Sequence, residues 1–226
     1  MAYVLEIKHQ LSPATPKTYE DFVLRYGELV IPLMEKCGWD VLGGWMWATG
    51  TLFSDFVLVQ FDSLTDYAEA WERLESQAQG TGLSLLDDLG LSVRQDVSLS
   101  KMTPFSPPAR IQAGLDRSAE RAAANMPHRT FTYARLTTSL EHLKRVEELI
   151  ELTAGGVPPT TQLIASYNSV TGRQAEMVDL WARDEGVPNF GFITGRQEDD
   201  PYEELYRLVE TETVNYLNPL PYSRLR

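Results

Sequence analysis

The stretch VLGGWMWATGTLFSDFVLVQFDSL, residues 41–64, reads as a strand, a turn centred on Gly50 and a second strand ending at Asp62-Ser63. Much the same pattern returns at residues 163–186 as LIASYNSVTGRQAEMVDLWARDEG. A constant offset of 122 residues sets Gly50 on Gly172, Leu58 on Leu180 and Asp62 on Asp184, with Trp45 meeting Tyr167 and Phe56 meeting Val178. A hairpin that recurs in one chain points to an internally repeated architecture before any single residue is considered. The two copies differ in chemistry, because Val57 and Val59 of the first stand where the second has Asp179 and Trp181.

Composition narrows the classes of function. The chain has 226 residues, 43% hydrophobic and 10% aromatic, enough for a proper core in one large domain or two small ones. Its net charge of −12 argues against nucleic acid or an anionic membrane as a partner, since both demand a basic face. Cys37 is the single cysteine, so no internal disulfide framework exists, and a reducing compartment, the cytoplasm, is the expected location. No apolar run reaches the ~18 residues of a membrane span, and the start MAYVLEIKHQ alternates like a strand rather than a signal peptide.

Working outward from the hairpin, residues 3–11 form a strand with Tyr3, Leu5, Ile7, His9 and Leu11 on one face and Val4, Glu6, Lys8 and Gln10 on the other. Thr18 and Asp21 resemble a capping box for a helix carrying Phe22, Tyr26, Leu29, Val30 and Leu33, with Pro32 expected to kink or end it. A second helix starts near Leu64, and SLSKMTPFSPP closes the half as a strand and a proline stop. Residues 109–127 are rich in Ala, Arg and Glu and read as an exposed, partly helical linker, in which Arg110, Arg117 and Arg121 form at most a diluted basic arm. The second half repeats the order: a strand at 129–137, a helix capped by Ser139 to about 152, the second hairpin, and a helix from 201 to about 217. Between them EGVPNFGFITGRQEDDP has no counterpart in the first half and is either a lid contacting substrate or a neutral insertion.

The expected fold class is therefore α+β: two tandem ferredoxin-like (β-α-β-β-α-β) repeats, residues 1–108 and 128–226 joined by 109–127, forming a pseudo-dimeric α+β barrel. A homodimer of that unit is a further expectation.

The segment WDVLGGWMWATGTLFSDFVLVQFDSLTDYAEA resembles the NIPSNAP family through Leu42, Gly43, Trp45, Gly50, Leu52, Phe61, Asp62, Ser63 and Leu64. MVDLWARDEG gives a parallel match with Leu180, Trp181 and Asp184, and NPLPYSRLR resembles the family's ending. The resemblance implies the dimeric α+β barrel superfamily in tandem. That superfamily includes cofactor-free monooxygenases, polyketide cyclases, lactone isomerases and haem enzymes, and it sets no catalytic motif to carry over here.

Of three histidines only His9 is placed to face an interior, as a hydrogen-bonded core residue, a general base or an axial haem ligand. No cluster with metal-ligand spacing, phosphate loop or nucleophile elbow occurs, so neither a metal nor a cofactor is indicated. What remains is polar side chains on strands that a barrel would enclose. The catalytic candidates are Glu6, Lys8, His9, Tyr133, Arg135, Asp179 and Arg183, with His9 on the face opposite Glu6 and Lys8. Candidates for binding substrate are Trp45, Trp47, Phe131, Trp181, Asn189 and Phe192. A cavity walled by Trp and Tyr suits a small hydrophobic, aromatic or carbonyl-bearing, polyketide-like metabolite, altered by isomerisation, cyclisation or oxygenation as a step in biosynthesis. The competing readings are charges paired across the barrel beside core tryptophans, a non-catalytic ligand-binding or protein-interaction module, and a haem barrel through His9.

Overall fold

The computed structural model describes residues 2–78, 80–171, 175–185 and 201–226. It is a mixed α/β fold with eight strands among the described residues. The chain separates into two compact units, residues 1–101 with 217–226, and residues 102–216.

In the first unit, β1 (Tyr3–Ser12) pairs antiparallel with β3 (Ser54–Phe61), and β3 with β2 (Asp40–Trp47). The register sets Leu5 opposite Val59 and Ile7 opposite Val57. These residues make one apolar face, and helices α1 (Pro16–Arg25) and α2 (Ile31–Lys36) cover it with Phe22, Tyr26, Val30 and Met34. Each such fully buried side chain stabilises the fold by ~1.5–3 kcal/mol. Helix α1 is capped at Thr15, three residues before the expected cap Thr18. Thr15 Oγ1 accepts from Thr18 N at 3.2 Å, and Thr18 Oγ1 accepts from Thr15 N at 2.8 Å, with Pro16 at the first helical position, where its missing N–H costs nothing. The expected disturbance at Pro32 takes the form of a π-helical turn, Tyr26–Val30, immediately before α2. Ser63 caps α3 (Leu64–Gln77), and a 3-10 turn (Leu83–Leu89) leads to β4 (Ser92–Met102), which pairs with the other edge of β1.

The C-terminal residues belong to this unit. Leu220 N donates to Gly44 O and Leu225 N to Leu42 O, so the tail lies across β2. A Cβ on Gly44 would sit 2.6 Å from the Tyr222 ring and one on Gly27 2.7 Å from it, which is why glycine occupies both positions.

In the second unit, α4 (Pro108–Ala123) precedes β5 (Thr130–Thr138), α5 (Leu143–Gly155), β6 (Thr161–Ser169), β7 (Glu176–Arg183), α6 (Pro201–Leu208) and β8 (Val209–Pro219). Two expectations are corrected here. Residues 109–127, read as an exposed linker, contain a helix whose Ile111, Gly114, Ser118 and Arg121 are buried. Its arginines are no free arm: Arg110 Nε donates to Phe105 O at 3.1 Å, Arg117 Nη2 lies 2.6 Å from Asp184 Oδ2, and Arg121 Nη2 donates to Asp184 O at 3.1 Å; beyond the helix, Arg129 Nε lies 3.1 Å from Asp184 Oδ1. Burial alone would raise Asp184, but the Arg117 hydrogen bond and the three guanidinium charges outweigh it and hold this carboxyl below its usual value. The final helix ends at Leu208 rather than near 217, because VETETVNYL is rich in β-branched residues and continues as β8. Helix α5 also starts later than read, at Leu143, after Ser139 Oγ accepts from His142 N at 3.3 Å.

Candidate functional site

In the first unit the helix-covered face is filled by Val57, Val59 and their neighbours. The same strand positions in the second unit carry Asp179 and Trp181, with Arg183 two residues further on. Cross-strand pairing sets Ala134 opposite Asp179 and Thr132 opposite Trp181, so small residues of β5 face the large ones of β7. Helices α5 and α6 close over this face, held together by Arg145, whose Nε and Nη2 donate to Glu204 at 2.7 and 2.6 Å. The result is a cavity of about 540 Å³, lined among others by Asp179, Trp181, Arg183, Tyr202, Tyr206 and Glu212. That volume lies within the range of small-molecule sites.

Asp179 dominates the electrostatics. It is 2% exposed, and its Oδ1 has no hydrogen-bond partner among the described residues. Burial pushes its carboxyl up to about 7; the Ser166 hydroxyl across the strand pulls it down, and the Glu212 charge raises it again. A carboxyl with that value is half ionised near neutrality, where a general base works best. Arg183, four residues along β7 from Asp179, donates through Nη1 to Thr161 Oγ1 at 3.4 Å and so stands at the Thr130 end of the cavity.

The remaining candidates separate by strand face. Tyr133 lies opposite Leu180 and therefore on the face away from Asp179, as do Phe131 and Arg135. The expected grouping of Tyr133 and Arg135 with Asp179 and Arg183 does not form. Arg135 Nη2 instead donates to Tyr133 OH at 3.2 Å, and its Nε lies 3.5 Å from Glu176. In the first unit Glu6 is buried on the corresponding face, 2.8 Å from Lys8 Nζ, and accepts from Ser98 Oγ at 3.4 Å. Trp45 stacks on Phe56 with centroids 5.2 Å apart, and Trp47 lies 5.1 Å from the same ring. Asn189, Phe192 and the expected lid lie outside the described residues.

His9 sits under the helices, in a closed polar knot. Its Nδ1 is 2.7 Å from Asp55 Oδ1, Gln95 Nε2 donates to its Nε2 at 3.1 Å, and Tyr19 OH donates to Asp55 Oδ2 at 3.0 Å. Phe22 and Tyr26 pack edge-on against the imidazole at 5.5 and 4.9 Å. Burial, then the Asp55 charge and hydrogen bond, push the Tyr19 phenol far above its usual value. With both ring nitrogens engaged and the side chain 0% exposed, His9 offers no face to a porphyrin iron, so the haem reading does not fit these residues. Among the described residues no group of His, Cys, Asp and Glu is arranged to hold a metal ion, and no helix is long and apolar enough to cross a membrane.

Several residues escaped sequence reasoning. Asp55 was visible as the one acid alternating with Val57, Val59 and Phe61. Tyr202 and Tyr206 stand one helical turn apart on α6, a readable spacing. Glu212 was hidden because its strand had been taken for helix.

Comparison with known proteins supports the family resemblance in the first half. A NIPSNAP profile matches residues 13–107. No curated protein matches the chain. Among solved structures, the chain is similar to a candidate monooxygenase of Lactobacillus acidophilus NCFM, with a TM-score of 0.58 at 9% identity, covering 97% of this chain and 94% of that one. A candidate monooxygenase of Fusobacterium nucleatum gives 0.60 at 9% identity, covering 97% and 92%. An anthrone oxidase-like protein gives 0.54 at 9% identity, covering 96% and 91%. At such identity the likeness is one of fold.

Proposed function

We propose, for a chain whose residues 13–107 match NIPSNAP, that the second unit houses an enzyme site for a small aromatic, carbonyl-bearing molecule, with Asp179 as its general base. The observation that carries this reading is a buried carboxylate, short of a partner on one oxygen, lining a cavity walled by Trp181, Tyr202 and Tyr206. Keeping a carboxylate there costs stability, and sites that do chemistry are where such groups accumulate. Asp179 removes a proton from a carbon that the carbonyl acidifies, directly or through an aromatic ring, and the Arg183 guanidinium stabilises the enolate oxygen that develops. Isomerisation, cyclisation and oxygenation of such a molecule all begin from that enolate. The name of the anthrone oxidase-like neighbour fits this substrate class. The β-α-β-β-α-β order of each unit supports reading the chain as two tandem ferredoxin-like repeats, the second of which has gained the site.

The test is proton exchange, which requires no knowledge of the later step. Anthrone in deuterated buffer, followed by NMR with the full chain present, exchanges the two hydrogens of its methylene, which the carbonyl acidifies through the aryl rings, faster than in buffer alone. The rate climbs with pH to a plateau above about 7, where Asp179 is ionised. D179N lowers the protein-dependent rate by ~10²–10⁴. An undiminished rate in D179N refutes the base assignment, and binding without exchange identifies a non-catalytic binding module.

A further inference from the structure

The charges around the cavity are unequally distributed. Asp179, Glu203 and Glu212 line it, against Arg183 as the one basic residue among the described lining. Arg183 is held at the Thr130 end by Thr161, whereas Asp179 stands at Ala134. Glu212 lies beyond it, since its neighbour Thr211 hydrogen-bonds Thr137 and the Leu208 carbonyl accepts from Thr138. The cavity therefore runs from a cationic end, past a buried carboxylate, to an anionic end with no basic lining residue among those described. Its walls include Trp181, Tyr202 and Tyr206, whose ring faces attract cations. A cavity built only for a neutral aromatic ketone needs Arg183 and the rings but has no use for the acids at the far end.

Resting on the site proposed above, we infer that its ligand is an aromatic molecule bearing a basic amine. The ammonium lies toward Glu212 and Asp179, the ring between the aromatic walls, and the carbonyl toward Arg183. The Oδ1 of Asp179, without a hydrogen-bond partner among the described residues, is the independent mark of a site for a donor, and an ammonium supplies three. Pairing with the amine also favours the ionised form of Asp179.

Three probes of one shape separate the possibilities in calorimetric titration of the full chain at pH 7.5: 2-(aminomethyl)naphthalene, 2-(hydroxymethyl)naphthalene and 2-naphthoate. The amine is expected to bind about tenfold or more tighter than the alcohol, a 1.4 kcal/mol preference, with naphthoate weakest. E212Q shrinks the preference for the amine over the alcohol severalfold. If the alcohol binds as tightly as the amine, or naphthoate binds best, the amine inference is overturned and the cavity assignment survives. If none of the three binds, both fall.

Discussion

The helix-covered faces of the two units are built on matching strands and put to different uses. Under α1 and α2 the first face is closed by Val57 and Val59, and its polar groups are tied off in the His9–Asp55–Tyr19 knot. Under α5 and α6 the second face carries Asp179 and Trp181 at the same places and leaves a cavity of about 540 Å³. Polar residues occur in both, and what distinguishes them is whether the described residues supply the partners. His9 and Asp55 are satisfied within the unit, whereas Asp179 Oδ1 finds no hydrogen-bond partner among the described residues. The difference teaches that a buried titratable group marks a site when its hydrogen bonding is incomplete, rather than by burial alone.

The comparison breaks most sharply if the faces are exchanged. V57D forces a carboxylate into a fully buried apolar layer, and should cost ~4 kcal/mol or more in urea denaturation at pH 8, or prevent folding. A well-folded V57D of unchanged stability would mean the first face is not filled as described. Neutralising the carboxyl of the second face is expected to stabilise. The folded-state value of Asp179, about 7, lies above its ordinary 3.8, so the folded protein keeps a proton that the unfolded chain releases. Wild-type stability therefore falls as pH rises from about 4 to 7 and stays low above. D179N escapes that fall: it gains ~2–4 kcal/mol over wild type at pH 8 and almost nothing at pH 4, as thermal unfolding at both pH values will report. Smaller is the effect of Y19F, which removes one donor from Asp55 and should cost ~1–2 kcal/mol without altering affinity for aromatic probes in the second unit. Smallest is R145A, whose exposed pair with Glu204 should leave the melting temperature nearly unchanged and only loosen probe binding, measured by the same titrations.

Much of the fold was legible because strand alternation and repeated hairpins are local patterns. Residues 3–11 alternate cleanly, and Gly50 and the glycines of VLGGW punctuate the hairpin. The reason for Gly44 was not legible, because it lies in Tyr222, 178 residues away in the chain. The site was half legible. Asp179, Trp181 and Arg183 stood out by difference from Val57 and Val59, and the structure keeps them together on one face. Tyr133 and Arg135 were grouped with them wrongly because face assignment depends on register: Tyr133 pairs with Leu180, and a shift of one residue would have turned it toward Asp179. The His9–Asp55 contact is likewise a product of the β1–β3 register, invisible to spacing along one strand. Residues 209–216 were misassigned because their acids and apolar residues satisfy a helical pattern nearly as well as an alternating one.

The central claim is that Asp179 is a functional base exposed to a ligand cavity. Its titration tests this directly, by NMR of protein carrying ¹³C-labelled aspartate carboxyls, with D179N identifying the resonance. The account predicts a midpoint near 7 that falls when 2-(aminomethyl)naphthalene is bound. A midpoint in the ordinary carboxylate range near 4, indifferent to the probe, would contradict it.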